Sequence, residues 1–551
     1  MSLKSWPRRY WTSFSYVGLI LAALFFAASL SPSLLPRLFL VQGILSGIAL
    51  AIGYGIGGLL VWLWQYLELP QPRGQFQRIG KWAISLIAVA IAGYFLWRAT
   101  DWQNSIRGLM DMEQVPSVYS GRVALIAALI GALLIALARV FEKCCRFVNR
   151  RFSKIIPLRV SKILSLVLVS TLLITVVKGV FARRALMAAD AMYLKMDGLI
   201  DDGIEQPVDP MVSGSGESLI PWKTIGRRGK NFAVGGPTEN DISGLLGKPA
   251  LKPLRVYVGL GSAESPEERA GLALRELERV GGFDRSVLVV ATPTGTGWLD
   301  PGAVDTLEYL HAGDTAIVSM QYSYLASFLT IIVDPERSRE AAVTLFDEIY
   351  EHWKTLPEDR RPKLYLHGLS LGSLGSEACL DLFTLFDDPI QGAVWSGPPF
   401  PSEAWSEITR DRNPGSPAWL PEFRDGSMVR FTARENALDQ VGDRWGPMRF
   451  VYLQHASDPI SFFSPDLLYR RPVWLEGERG PDISPDLEWY PIVTFLQVAC
   501  DMPMGGTVPH GYGHLFTPAS YIDAWIAVTS PPDWSPADTD RLKQHFAKPV
   551  P

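Results

Sequence analysis

Serine, aspartate and histidine stand in the C-terminal half of this sequence in an order that can carry nucleophilic acyl transfer. Residues 363–375 read Lys-Leu-Tyr-Leu-His-Gly-Leu-Ser-Leu-Gly-Ser-Leu-Gly, so Gly368 and Gly372 flank Ser370. An apolar, β-prone run precedes the serine and a helical pattern follows it, the context in which a sharp turn lifts a serine hydroxyl out as a nucleophile. Bulky side chains on either flank of such a turn would clash, which accounts for glycine at both positions. The backbone N–H of Leu371, opening the helix, is aimed to stabilise a developing oxyanion. The same residues also suit a Gly/Ser-rich turn that binds a phosphate or nothing, and the strand before it with the helix behind it favours the nucleophile.

A serine of this kind, in an α/β-hydrolase sheet, is followed in chain order by its acid and then its histidine. After the predicted strand 449–454 comes His455-Ala-Ser-Asp458-Pro459, an aspartate at the C-terminal end of a strand, where loops build sites. Asp458 is the expected acid, against the alternative of a turn-forming Asp-Pro. Downstream, Pro509-His510-Gly-Tyr-Gly-His514 offers two histidines in a glycine-rich loop, and both His514 and His510 qualify as base. His311, His352, His367 and His455 precede the acid, and His545 lies near the C-terminus; these read as structural or solvated. In the expected roles His514 takes the Ser370 proton, Asp458 fixes the imidazole tautomer, and water releases the acyl group. The second oxyanion donor is expected from Thr294 and Gly295 in the turn Thr292-Pro-Thr-Gly-Thr-Gly-Trp298, with Gly261-Ser262 as rival and a plain turn as the alternative for either.

The elements that must position these residues alternate. Predicted strands cover 255–259, 286–291, 315–322, 363–366, 392–395 and 449–454, interleaved with predicted helices over 267–280, 337–354 and 371–385. This alternation predicts an α/β domain over 253–551, a mostly parallel sheet covered by helices. Residues 191–252, with Gly-rich breaks, read as a connector near a membrane surface. The Trp- and Pro-containing stretch 401–445 reads as a lid, or as a surface loop without consequence.

The first 190 residues read differently. They hold 21 Lys+Arg against 6 Asp+Glu, whereas the remainder holds 31 against 50. A basic, apolar half ahead of an acidic half of ordinary polarity predicts an α-helical transmembrane domain over 1–190, and nothing in this balance points to nucleic acid. Apolar runs at 16–30, 38–67, 82–97, 123–140 and 163–180 predict about five spans. The third is short, so the count ranges from four to six. No small-x-small cleavage site follows the first run. Lys4, Arg8, Arg9, Arg73, Arg78, Lys81 and the cluster from Lys143 to Lys162 mark cytoplasmic loops, so an odd number of spans puts the C-terminal half outside, against the pull of Lys178, Arg183 and Arg184. The run centres carry no ionisable residues, which argues for anchoring over transport, and Gly53-Tyr-Gly-Ile-Gly-Gly58 reads as close helix packing. Four cysteines lack zinc-site spacing and are too few for a disulfide framework; only Cys379 and Cys500 merit consideration as a pair. No metal or cofactor is expected.

Several long motifs in one order resemble the bacterial membrane-bound α/β-hydrolase family 9. Ser31-Pro-Ser-Leu-Leu-Pro-Arg37, Gln42-Gly43 and Gly53-Tyr-Gly-Ile-Gly57 look like its N-terminal signature. Residues 255–260, 292–298, 320–325, the Ser370 turn, Trp395-Ser-Gly-Pro-Pro399 and 454–459 look like its hydrolase blocks. The family usually has Pro-Gly-His-Gly-His near the end; here Tyr512 replaces the first of those histidines and His514 matches the second. The resemblance implies a serine hydrolase in a bacterial plasma membrane and no settled substrate; the anchor, which would hold the site near amphiphilic molecules, leads to the expectation of the bilayer and an acylated, amphiphilic envelope substrate as partners. Tyr512 motivates the alternative of a catalytically impaired domain that binds an envelope ligand, and acyl transfer is a further alternative to hydrolysis.

Overall fold

The computed structural model describes residues 14–70, 75–176, 184, 192–325, 330–331, 334–380 and 388–547. The N-terminal signals Lys4, Arg8, Arg9 and Arg73, Lys178 and Arg183 beyond the last span, the predicted boundary at 190 and the end of the predicted helix 371–385 lie outside them.

The apolar runs become helices α1 (Tyr16–Leu30), α2 (Phe39–Tyr66), α3 (Gln75–Leu109), α4 (Ser120–Phe152) and α5 (Leu158–Val176). Four of them, α2 to α5, are long and apolar enough to cross a membrane. At about 1.5 Å per residue, the 15 residues of α1 reach roughly 22 Å, short of a hydrocarbon core of about 30 Å. The third run, expected to be short, continues beyond Trp97 because the polar residues of 98–109 keep helical form, making α3 the longest of the five. Leu59, Trp82, Leu86, Leu129 and Leu164 stand exposed on the helices, as apolar side chains do where lipid is the solvent. Glycine decides how closely α1 and α2 pack: a Cβ on Gly57 would come within 2.5 Å of the Gly18 Cα. Phe26, Leu30, Trp102, Val123 and Ala127 form a core among the helices.

Downstream, α6 (Arg227–Val234) and α7 (Glu239–Leu246) precede β1 (Leu254–Val258), α8 (Pro266–Arg279), β2 (Val287–Thr292), α9 (Pro301–Leu310), β3 (Thr315–Met320), α10 (Glu336–Thr355), β4 (Lys363–Leu369) and α11 (Leu371–Glu377). Then come β5 (Gly392–Ser396), α12 (Glu403–Arg410), β6 (Val429–Thr432), β7 (Arg449–Leu453), α13 (Val493–Asp501), α14 (Pro518–Thr529) and α15 (Pro536–Phe546). The seven strands form one parallel sheet in the order β1-β3-β2-β4-β5-β7-β6. Strands buried on both faces read as unbroken Val/Ile/Leu runs, and β2 (VLVVAT) is buried at every position. Arg255 on β1 is buried against Glu308 and Asp305 of α9, at 2.6 Å from each.

Two expectations change. The stretch 401–445 is no free-standing lid, because it contains α12 and β6, and β6 pairs with β7 to complete the sheet edge. The stretch 191–252 holds α6, packed on β1, so it is part of the hydrolase-side unit. The chain divides into two units, one of residues up to Leu186 with Phe463–Leu475 and Pro481–Met504, the other of Met187–Phe462, Glu476–Gly480 and Gly505–Pro551. A segment from the C-terminal half therefore belongs to the helical unit, α13 packing on α1 and α2. All four cysteines are free thiols.

Candidate active site

The parallel sheet places Asp458, Ser370 and the turn 292–298 beyond the C-terminal ends of its strands. Ser370 follows β4, the central strand, with φ +58° and ψ −124°. A non-glycine residue held there costs on the order of 1–3 kcal/mol and persists only when its surroundings over-determine it. The surroundings are visible: a Cβ on Gly368 would overlap the Gly372 carbonyl, and one on Gly372 would overlap the Thr292 carbonyl at the end of β2. Beyond the turn, the Ser370 N–H donates to the Ser396 carbonyl at the end of β5, 2.9 Å away, and the Ser373 hydroxyl donates to the Ser370 carbonyl.

One strand further, Asp458 follows β7 and is fully buried. Its Oδ1 accepts the Ile460 N–H at 2.9 Å, and its Oδ2 lies 2.6 Å from His514 Nδ1. Of the two histidines left open by the sequence, His514 is the one paired with Asp458; His510 Nδ1 instead lies 3.0 Å from the Phe516 carbonyl. The His514 ring sits against Gly397, where a Cβ would collide with its Cε1, so the residue after Ser396 has to be glycine for the imidazole to lie beside β5. Ser370 Oγ and His514 Nε2 are both buried and neither has a hydrogen-bond partner. Serine–imidazole contacts of this kind are often loose before substrate binds and tighten afterwards.

Two residues that sequence reading classed as structural or passed over hold the base loop. His455 Nδ1 lies 3.0 Å from the Gly513 carbonyl, and the Gly513 N–H donates to Ser457 Oγ at 2.9 Å. Both backbone groups of the residue before His514 are thus held by residues flanking Asp458 within one short motif, a clue available in the spacing His455-x-Ser457-Asp458. Tyr512, which replaces a family histidine, is buried with the Arg434 guanidinium 4.5 Å over its ring. Asp458 keeps an imidazole partner without it.

The turn 292–298 lies beside the serine, because Gly372 abuts the Thr292 and Pro293 carbonyls. The Thr294 N–H is donated to the Trp298 carbonyl at 2.9 Å, and the Thr294 hydroxyl lies 3.3 Å from the Thr296 hydroxyl, so the expected donor's backbone amide is already committed within the turn. The rival Gly261-Ser262 follows β1, separated from β4 by β3 and β2, and Ser262 bonds Thr224 instead. Burial pushes the pKa of His367 on β4 down to about 4, and its Nδ1 lies 2.8 Å from the Val394 carbonyl. Below the turn, Tyr521 of α14 lies 2.8 Å from the Ser396 hydroxyl and also bonds Asp300, whose carboxyl burial pushes up to about 6.

An alpha/beta-hydrolase family model matches residues 254–542, and the model for that family's N-terminus matches residues 30–237. No curated protein matches the chain. Among solved structures, a Trichoderma reesei cutinase in complex with a C11Y4 phosphonate inhibitor aligns at 14% identity over 43% of this chain and 85% of its own, with a TM-score of 0.19. With the elbow serine, the parallel sheet and the two family matches spanning most of its length, the chain belongs to the alpha/beta-hydrolase family 9.

Proposed function

We propose that this protein is a membrane-anchored serine hydrolase, esterase- or lipase-like, acting on an acylated amphiphilic molecule of a bacterial envelope. The 2.6 Å pairing of His514 with Asp458, next to an elbow serine, is the observation that carries this reading. In the first step the Ser370 oxygen bonds the acyl carbon while its proton passes to His514 Nε2. Asp458 stabilises the resulting imidazolium, and the Leu371 amide with the Thr294–Gly295 turn receives the oxyanion. Collapse breaks the ester bond and the leaving alcohol takes the proton from His514. Water, activated by the same imidazole, then frees the acid and restores the serine.

Labelling of the purified full chain with a fluorophosphonate tests this directly. Ser370→Ala abolishes labelling, His514→Ala slows it by about three orders of magnitude, and His510→Ala leaves it near wild type. A folded wild type that takes up no probe sinks the reading and turns attention to the ligand-binding alternative.

The catalytic unit is extracytoplasmic in this proposal. Supporting it, Ser33, Arg37 and Ser105, at the helix ends poor in unbalanced cationic residues, bond Asp501 and Ser484 from the C-terminal half. The opposite ends carry Arg150, Arg151 and Lys154. A membrane-impermeant maleimide is expected to reach the exposed Cys144 only after cells are permeabilised; labelling in intact cells reverses the orientation.

A further inference from the structure

The motif from Ser31 to Arg37 has no part in the chemistry above, yet its side chains converge on one carboxylate. Asp501, the last residue of α13, accepts from Arg37 Nε at 2.7 Å and from Arg37 Nη2 at 3.2 Å, and Ser33 Oγ donates to the same group. Both ion-pair side chains are completely buried. Arg37 is held in turn by Gln42 Oε1, which accepts from its Nη1, and by Gln103 Oε1, which accepts from its backbone N–H. One turn earlier on α13, Gln497 Nε2 donates to the Ser31 carbonyl at 3.0 Å. Desolvating two charges is costly, and apolar contacts alone would hold a helix against a bundle. A buried, geometrically specific pair instead fixes one register of α13.

That register matters because of where α13 lies in the chain. Asp458 precedes it, and the base loop follows: one short turn, Met502–Met504, separates Asp501 from Gly505. The Gly505 carbonyl accepts the His514 N–H at 3.0 Å. We propose that the Arg37–Asp501 pair is a positioning device for the catalytic base, by which the helical unit sets the start of the loop that carries His514. The inference rests on the serine-hydrolase reading. Arg37 and Asp501 are positioning residues in it, acting through the loop and touching no substrate. Small displacements of a reacting group can cost as much as about a hundredfold in rate, so a tether of this kind makes activity depend on an intact helical unit.

The test compares Asp501→Asn, Arg37→Ala, Arg37→Lys and the milder Ser33→Ala in the full chain, with Ile135→Ala as a packing defect elsewhere in the helices. Two readouts are taken: the fluorophosphonate labelling rate of Ser370 per folded molecule, and amide hydrogen exchange across residues 505–514. The expected result is a loss of about tenfold in labelling and faster exchange in Asp501→Asn and Arg37→Ala. A smaller change of the same sign is expected in Ser33→Ala, partial recovery in Arg37→Lys, and neither effect in Ile135→Ala. Adding His514→Ala to Asp501→Asn should cost less than it does alone, because both act through one imidazole. Wild-type labelling rates and exchange in every clamp variant overturn the inference and leave the hydrolase reading standing. A folded wild type that does not label overturns that reading instead, and the exchange data then decide the tether by themselves.

Discussion

Among the described residues, Arg255 and Arg37 are each buried against carboxylate, with similar chemistry and different consequences. In the hydrolase unit Arg255 on β1 meets Glu308 and Asp305 on α9, some 50 residues along the chain, and its Nη1 also donates to the Phe232 carbonyl at 3.1 Å. In the helical unit Arg37 meets Asp501, 464 residues away. The first cluster ties a strand to a helix that covers the same sheet, so its contribution is to the fold. The second ties the membrane half to the segment between acid and base. Interaction type alone therefore says little about role; what matters is which part of the chain the partners join.

Three substitutions sharpen or break that contrast. The largest effect is expected from Arg255→Ala, which strands the buried Glu308 and the half-buried Asp305 and should lower stability by about 3–5 kcal/mol in denaturant titration. Its surviving folded fraction should label at the wild-type rate, unlike Asp501→Asn; a reduced rate per folded molecule would erase the distinction between the two clusters. Next comes Gly397→Ala, which pushes on the His514 ring from the side of β5. It is expected to slow labelling by about a hundredfold with a smaller change in melting temperature, and so calibrates what displacement of the base costs.

The smallest concerns a carboxyl buried with no arginine bonded to it. Burial pushes Glu377 of α11 up to about 8, and one of its oxygens has no partner. An unfolded glutamate ionises near its ordinary 4.5, so between pH 4.5 and 8 the folded state holds the extra proton and stability falls as pH rises. Glu377→Gln should remove that slope, stabilising the fold at pH 8 and changing little at pH 4, read from melting temperatures across pH. An unchanged slope would mean that the neighbours of this carboxyl compensate its burial.

Much of this was legible in the residues. Six of the seven strands announce themselves as β-branched runs, and the Gly368–Ser370–Gly372 turn declares its geometry. Asp458 stands out through its place after a strand. The remaining strand, β6, is four residues long, VRFT, inside a stretch rich in Trp, Pro and charge, and only pairing with β7 makes it a strand. The choice between His510 and His514 needed coordinates, since both ride the same glycine-rich loop. Arg37–Asp501 left no local trace: charge pairing is readable at helical or cross-strand spacings, and this pair lies beyond any such period. α13 likewise reads as an ordinary short helix, its membership of the helical unit decided by tertiary partners alone.

The interleaving of the two units also sets an order in time. Ser33 and Asp501 are 468 residues apart. At about 5–20 residues per second, a ribosome delivers the second roughly half a minute to a minute and a half after the first. The helices α1 to α5 have left the ribosome before α13 exists, and His514 is made later still. On the proposed reading, catalytic competence comes late in biogenesis, after a late segment of the chain is captured by an early one, and a polypeptide whose helices fail to enter the bilayer would lack the partner that positions the His514 loop.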